Sequence, residues 1–168
     1  MGYQSRTRVN SMNKGLIETF GSVSVVDRIS AGSTLTLDPA LHAGKTILLD
    51  TAAGSTVTLP AGAAELLGIQ FKFVVSTLAT SNSHKIQVAN ASDIMIGSIA
   101  TIDTDTSDAY ASFATTSTSD TITLNRTTTG SVRTGETITV EYVATNRWLV
   151  DGIVCVTGTP ATPFSAAV

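Results

Sequence analysis

Residues 68–75, Gly-Ile-Gln-Phe-Lys-Phe-Val-Val, alternate between apolar and polar side chains. Successive side chains of an extended strand point to opposite faces, so this stretch has one apolar and one polar face. The apolar face carries Ile69, Phe71, Phe73 and Val75. The pattern predicts a half-buried β-strand whose phenylalanines lie in a core or at a subunit contact.

Shorter runs with the same alternation occur on both sides of this strand, and turn residues separate them. Ile138, Val140 and Trp148 are the large apolar members of two such runs, and we expect them to be buried. Residues 46–50 and 56–59 flank the sequence Ala-Ala-Gly-Ser, which suggests a hairpin connection. Only residues 61–67, followed by Gly68, suit a short helix.

Short strands at this spacing are typical of a β-sandwich or β-barrel. We therefore predict an all-β fold: a compact sandwich or barrel, jelly-roll-like, of short antiparallel strands with one short helix and an extended N-terminal arm. The predicted divisions are an arm at residues 1–22, a β-rich core domain at residues 23–157 and a C-terminal tail at residues 158–168. Both end segments are irregular, yet both contain apolar and basic or aromatic residues suited to contacts. These residues are Arg6, Arg8, Lys14, Leu16, Ile17, Phe20 and Phe164.

The composition favours strands and turns over solvated helices. Of the 168 residues, 42% are hydrophobic and only 14% are charged, and serine and threonine make up more than a quarter of the chain. The net charge of -3 does not suit a general nucleic-acid surface, which needs a basic stripe. No run is long and apolar enough for a membrane helix, and no secretory signal pattern is visible. Cys155 is the only cysteine, so an intrachain disulfide is excluded.

Catalytic patterns are weak. A hydrolase triad needs a histidine base, and the two histidines, His42 and His84, are interpreted as surface or edge residues. Glu136 and Glu141 lie at positions of opposite parity in one strand, so they do not form the facing carboxylate pair of a glycosidase. There is no glycine-rich phosphate loop and no metal-ligand spacing of histidine and cysteine. We expect a protein that is not an enzyme and has no cofactor.

One acidic run leaves a question open. Asp103, Asp105 and Asp108 could offer hard oxygen ligands to calcium, but the run lacks the glycine and the closing glutamate of an EF-hand loop. Aspartates also bond turn backbones and keep loops hydrated. We expect solvated loop residues, and whether this loop binds calcium stays open.

The order of several short motifs resembles that of a known family. Gly44-Lys-Thr-Ile-Leu-Leu-Asp50 precedes Thr56-Val-Thr-Leu-Pro60 and then Gly68-Ile-Gln-Phe-Lys-Phe-Val74, with Gly135-Glu136 and Trp148 to Gly152 following near the end. This order, over about residues 40–155, resembles small head-decoration or cement proteins of tailed bacteriophages, including cyanophages. The resemblance implies a β-rich virion protein, commonly trimeric, that binds the outside of an assembled capsid.

The predicted function is thus capsid decoration by a homotrimer. Its partners would be the major capsid protein and further copies of this chain, with no nucleic acid and no membrane. It would be located on the virion, after assembly in the host cytoplasm. The alternative is a receptor-binding or glycan-binding module of a phage tail fibre, because related modules occur in fibres.

Overall fold

The computed structural model describes residues 28–105 and 110–168. In these ranges the chain forms two β-sheets that pack face to face. The predicted all-β fold is confirmed, and of the two predicted architectures, sandwich or barrel, the chain forms the sandwich. The strands are β1 (Arg28–Ser30), β2 (Thr34–Thr36), β3 (Thr46–Leu49), β4 (Thr56–Thr58), β5 (Gln70–Val75), β6 (His84–Gln87), β7 (Ile94–Asp103), β8 (Tyr110–Ala114), β9 (Thr121–Leu124), β10 (Thr137–Ala144), β11 (Arg147–Val156) and β12 (Phe164–Ser165).

The twelve described strands form a seven-stranded sheet, sheet A, and a five-stranded sheet, sheet B. Sheet A has the order β1-β3-β5-β10-β11-β7-β8, and sheet B has the order β12-β9-β6-β4-β2. From β1 to β6 the chain alternates between the sheets, and each strand lies parallel to the previous strand of its own sheet. The first half of the domain is therefore a stack of coils, each with one strand in either sheet.

The expectation of antiparallel strands needs correction. Five of the ten strand pairs in the described part of the chain are parallel: the four of the coiled half and the pair β7–β11. The other five are antiparallel. The predicted hairpin between residues 46–50 and 56–59 is also wrong, because β3 belongs to sheet A and β4 to sheet B. The turn at residues 52–55 carries the chain across the core instead.

The helical content is small and differs in place from the prediction. The segment 61–67 forms only a 3-10 turn at Ala64–Leu66. Both ends of this segment form hydrogen bonds to other parts of the chain instead of helical ones, since Gly62 N–H donates to Asp93 and Gly68 N–H donates to the Tyr142 carbonyl. A four-residue helix, α1 (Pro39–His42), follows Asp38, whose side chain accepts from Ala40 N–H. Asp38 as N-cap and proline at the first helical position are the sequence signals for this start.

The core lies between the sheets, where the alternating strands place their apolar residues. Phe71, Phe73, Ile138, Val140 and Trp148 are all buried, which confirms the assignment of faces made from the sequence. The Trp148 ring packs against Tyr142, with centroids 4.9 Å apart, and against Phe71 at 6.1 Å. Burial of large aromatic rings is the main stabilising contribution that such a core provides.

The C-terminal residues belong to this core. Phe164 lies in β12, pairs with Ile122 of β9 and is 8% exposed. The N–H groups of Ala167 and Val168 both donate to the Asp120 carboxylate. The predicted tail therefore packs on its own domain, and Phe164 is not available for contact with a neighbour in this arrangement.

Candidate interaction surface

The outer face of sheet A carries an exposed apolar patch across strands β8, β7 and β11. Its members are Tyr110, Ile153, Ile102 and Leu149, with exposed fractions of 71%, 54%, 44% and 40%. Strand pairing brings Tyr110, Ile102 and Ile153 together, because Tyr110 is opposite Ile102 and Ile153 is opposite Ala100 of β7. Leu149 and its partner Ile96 form a second apolar row, which Asp151 and Ser98 separate from Ile153 and Ala100. We call these residues the β8–β7–β11 patch.

Polar residues border the patch on the side of β10 and β5. A shallow depression of about 270 Å³ lies there, lined by Leu149 of the patch and by four polar residues, Gln70, Thr139, Glu141 and Asp151. The Gln70 amide donates to Glu141 over 3.4 Å, so these two side chains are held across neighbouring strands. An apolar centre with a polar border is the usual composition of a protein–protein interface.

The patch arises from a departure from the alternation seen elsewhere. Along β11, odd-numbered residues point outward and even-numbered residues point into the core, as the burial of Trp148, Val150 and Val154 shows. Two of the outward positions hold Leu149 and Ile153 rather than polar residues. The sequence does contain a signal for the patch, because residues 148–150 and 153–156 are two continuous apolar runs. Alternation alone assigns such runs to no single face of a strand.

The residues predicted to make contacts do not all fall within the described chain. Arg6, Arg8, Lys14, Leu16, Ile17 and Phe20 lie outside the described residues. Of the predicted contact residues only Phe164 is described, and it is buried in the domain's own core. Sequence reasoning missed the β8–β7–β11 patch as a contact surface.

His84 corrects the prediction of surface or edge histidines. It is fully buried, and its Nδ1 accepts a hydrogen bond from Ser55 N–H at 2.9 Å. Its Nε2 lies 2.9 Å from the Thr77 carbonyl oxygen, so Nε2 carries the proton and donates it there. Burial lowers the pKa of His84, although the hydrogen bond to Thr77 and the charge of Asp50 oppose this effect. With both nitrogens bound to backbone, His84 has no free nitrogen to act as a base for the nearby Ser55.

Glu136 is the other buried ionisable group with an organising role. Its carboxylate accepts from the N–H groups of Ser131, Val132 and Arg133, at 2.6 to 2.7 Å. Burial raises the pKa of Glu136, and these backbone donors oppose the rise. Glu141 lies five residues along on the solvent side of the same sheet, so the predicted opposite facing of the two carboxylates is confirmed.

Asp103 also departs from the expectation of solvated loop residues. It ends β7, is 3% exposed, and its carboxylate accepts from Asp105 N–H at 3.1 Å. Asp105 in turn accepts from Gly158 N–H at 2.8 Å. Asp108 lies outside the described residues. Within the described ranges, no three histidine, cysteine, aspartate or glutamate side chains are grouped so that they could hold a metal ion.

Cys155 lies half-buried on β11, directly opposite Ile102 of the patch. Burial raises the pKa of its thiol, and the negative charge of Glu136 raises it further. Cys155 is therefore protonated at neutral pH, and thiols react as nucleophiles through the thiolate. This environment suits a packing residue rather than a reactive one.

Comparisons of the chain with protein-family models, curated proteins and solved structures gave no match. None of the helices in the described part of the chain is long and apolar enough to cross a membrane.

Proposed function

We propose that this protein is a structural component of a tailed-phage virion that binds the outside of the assembled capsid as a homotrimer and stabilises it. The observation that carries the proposal is the β8–β7–β11 patch, an exposed apolar surface on a rigid sheet. Tyr110, Ile102, Leu149 and Ile153 would be covered in an assembly, since exposed apolar side chains grouped on one face of a soluble protein commonly mark interaction sites. The order of motifs that resembles phage decoration proteins supports the same assignment.

The buried polar groups support a structural role over a catalytic one. His84 and Glu136 use their polar atoms to hold backbone turns. Such contacts hold the turns beside residues 76–83 at one end of the sandwich, which suits a protein that must keep its shape on a shell. The proposal therefore includes no reaction and no cofactor.

The arm at residues 1–22 has a separate part in this proposal. Arg6, Arg8 and Lys14 would meet acidic surface on the shell, which gives a component of attachment that salt weakens. A segment that becomes ordered on binding can reach across a boundary between shell subunits while burying only a few side chains.

One observation favours the second candidate, a glycan-binding module of a tail fibre. A polar depression of about 400 Å³ lies where the turns from sheet A to sheet B meet. Its lining residues include Ser33, Thr56, Asn82, Ser83 and Lys85. Hydroxyl, amide and amine groups suit hydrogen bonds to sugars, but no aromatic ring lines this depression to stack on one. Capsid decoration is therefore the stronger candidate.

The test is to mix the full-length protein with expanded, undecorated capsids and to measure co-sedimentation and the heat resistance of the particles. We expect saturable binding and a higher temperature of capsid disruption. The variant with Arg6→Glu, Arg8→Glu and Lys14→Glu should bind more weakly, and its binding should depend less on salt. Lys85→Glu, a charge reversal on sheet B, is the control within the folded domain. Failure to bind capsids together with binding to host cells or glycans would replace this proposal with the fibre module.

A further inference from the structure

The coiled half of the sandwich ends in two incompletely covered apolar side chains. In sheet A, Ile29 of β1 is the end member of a row that continues with Ile47 and Phe73. In sheet B, Leu35 of β2 is the end member of a row that continues with Val57 and Ile86. Ile29 and Leu35 are half-buried, whereas the other four residues are fully buried.

The strands at this end of the stack also have unpaired edges among the described residues. Strands β1 and β2 are the terminal strands of their sheets, and both belong to the first coil. Each has one edge with no paired strand among the described residues. The free N–H and C=O groups of an unpaired edge can pair with a further strand, and natural β-proteins cover or protect such edges. The end of the stack therefore offers a place for one more layer with apolar side chains facing inward.

From these features we propose that the chain's own segment before Arg28 covers this end of the sandwich and adds a layer to the stack of coils. The segment is covalently joined to β1, so it starts at the edge that needs covering. It has 27 residues, and the two described coil spacings in sheet A are 18 residues from Arg28 to Thr46 and 26 residues from Thr46 to Lys72. The available length is therefore enough for one further coil.

The sequence of the segment has the pattern that this layer requires. Val23 and Val25 alternate with Ser22 and Ser24 directly before β1. An added strand needs apolar side chains at every second position, because only one of its faces would meet the core. In the proposed layer, Val23 and Val25 would pack against Leu35 and Ile29. The inference concerns the free protein, goes beyond the proposed capsid binding and does not depend on it.

A second copy of the chain is the competing occupant, since an open edge can also pair with the same edge of another molecule. The two cases differ in their dependence on concentration. Covering by the chain's own segment is present in the monomer, whereas covering by another copy disappears on dilution.

The experiment uses the full-length protein and measures hydrogen exchange of backbone amides at two concentrations, with the oligomeric state at each determined by sedimentation. We expect protection of at least about tenfold over unfolded rates for amides of residues 23–25, at both concentrations. Val23→Asp combined with Val25→Asp should remove this protection and lower the melting temperature. Ser22→Asp combined with Ser24→Asp is the matched control, because it places the same charges on the outward face.

Three results would overturn the proposal. Exchange of residues 23–25 at unfolded rates would leave the end uncovered by this segment. Protection that is lost on dilution would identify a second copy as the occupant. Equal effects of the two double variants would rule out the inward facing of Val23 and Val25.

Discussion

At the scale of single residues, His84 links the fold to pH. The buried ring is neutral, and protonation would place a hydrogen on Nδ1, where the Ser55 N–H already donates. In the unfolded chain histidine titrates near its usual pKa of about 6.5, whereas burial lowers the pKa of His84 in the folded chain. Between these two values the unfolded chain binds more protons, so the free energy of unfolding falls as the pH falls.

We therefore predict that the protein loses stability as the pH drops below about 6.5, until the lowered pKa of the folded state is passed. His84→Asn should remove this dependence and lower stability at neutral pH by about 1 to 3 kcal/mol, because buried hydrogen bonds are lost. The measurement is urea unfolding at a series of pH values. His42→Asn is the control, and an unchanged pH dependence in His84→Asn would contradict the assignment.

Glu136 provides a second prediction at this scale. Its two oxygens accept three backbone N–H groups, so Glu136→Gln would turn an NH₂ group toward donors that need an acceptor. We expect a loss of about 1 to 3 kcal/mol and faster hydrogen exchange at residues 131–133. Glu141→Gln, on the solvent face of the same strand, should change stability by less than about 0.5 kcal/mol. Equal losses in the two variants would refute this role of Glu136.

At the scale of elements, Gly97 permits the parallel pairing of β7 with β11. It has a φ of 124°, and a Cβ atom there would overlap the carbonyl oxygen of Val150, its partner in the register. A glycine inside a strand often marks a bulge or a bend. Instead β7 runs through it from Ile94 to Asp103, and the missing side chain allows the two backbones to approach closely.

Gly97→Ala should therefore destabilise the protein by about 3 kcal/mol or more, because a side chain there forces the paired strands apart. Gly44→Ala is the matched control: Gly44 also has a positive φ, of 69°, but no atom lies within 4 Å of the added Cβ. It should lose only about 1 to 2 kcal/mol from backbone strain. Thermal or chemical unfolding of both variants decides the point, and a tolerant Gly97 would contradict the close approach.

At the scale of the whole molecule, the β8–β7–β11 patch should govern self-association. The double variant Leu149→Lys with Ile153→Lys replaces exposed apolar groups by charges, so its folded state should survive while its trimer dissociates. Ser30→Lys with Thr46→Lys adds the same charges to the same face of sheet A, on β1 and β3, away from the patch. Sedimentation equilibrium should give a trimer for the control and a monomer for the patch variant.

Two results would count against this use of the patch. Trimerisation of the patch variant at wild-type strength would place the subunit contact elsewhere on the molecule. A wild-type protein that stays monomeric at all concentrations, yet binds capsids, would make the patch a shell contact instead. Circular dichroism of each variant checks that the fold is retained.

The sequence alone was sufficient to assign the buried and exposed faces of the main strands. Alternation assigned Phe71, Phe73, Ile138, Val140 and Trp148 to the buried face, since the two-residue period of a strand is a local property. Scarce charge and frequent turn residues were enough to predict an all-β sandwich or barrel, but not to choose between the two. The same reasoning put Glu136 and Glu141 on opposite sides of the sheet, and the structure places Glu136 directly before β10 and Glu141 on its outer face.

Only the tertiary structure decided which strands are neighbours. Strand pairing depends on contacts between distant parts of the chain, so alternation could not distinguish a hairpin from the parallel coils of β1 to β6. The roles of the buried polar residues were hidden for the same reason. His84 is neutral and structural because Ser55, which is 29 residues away in sequence, donates to it across the fold. The local sequence is enough to predict which face of a strand is buried. The packing of the whole chain determines which residues cover that face.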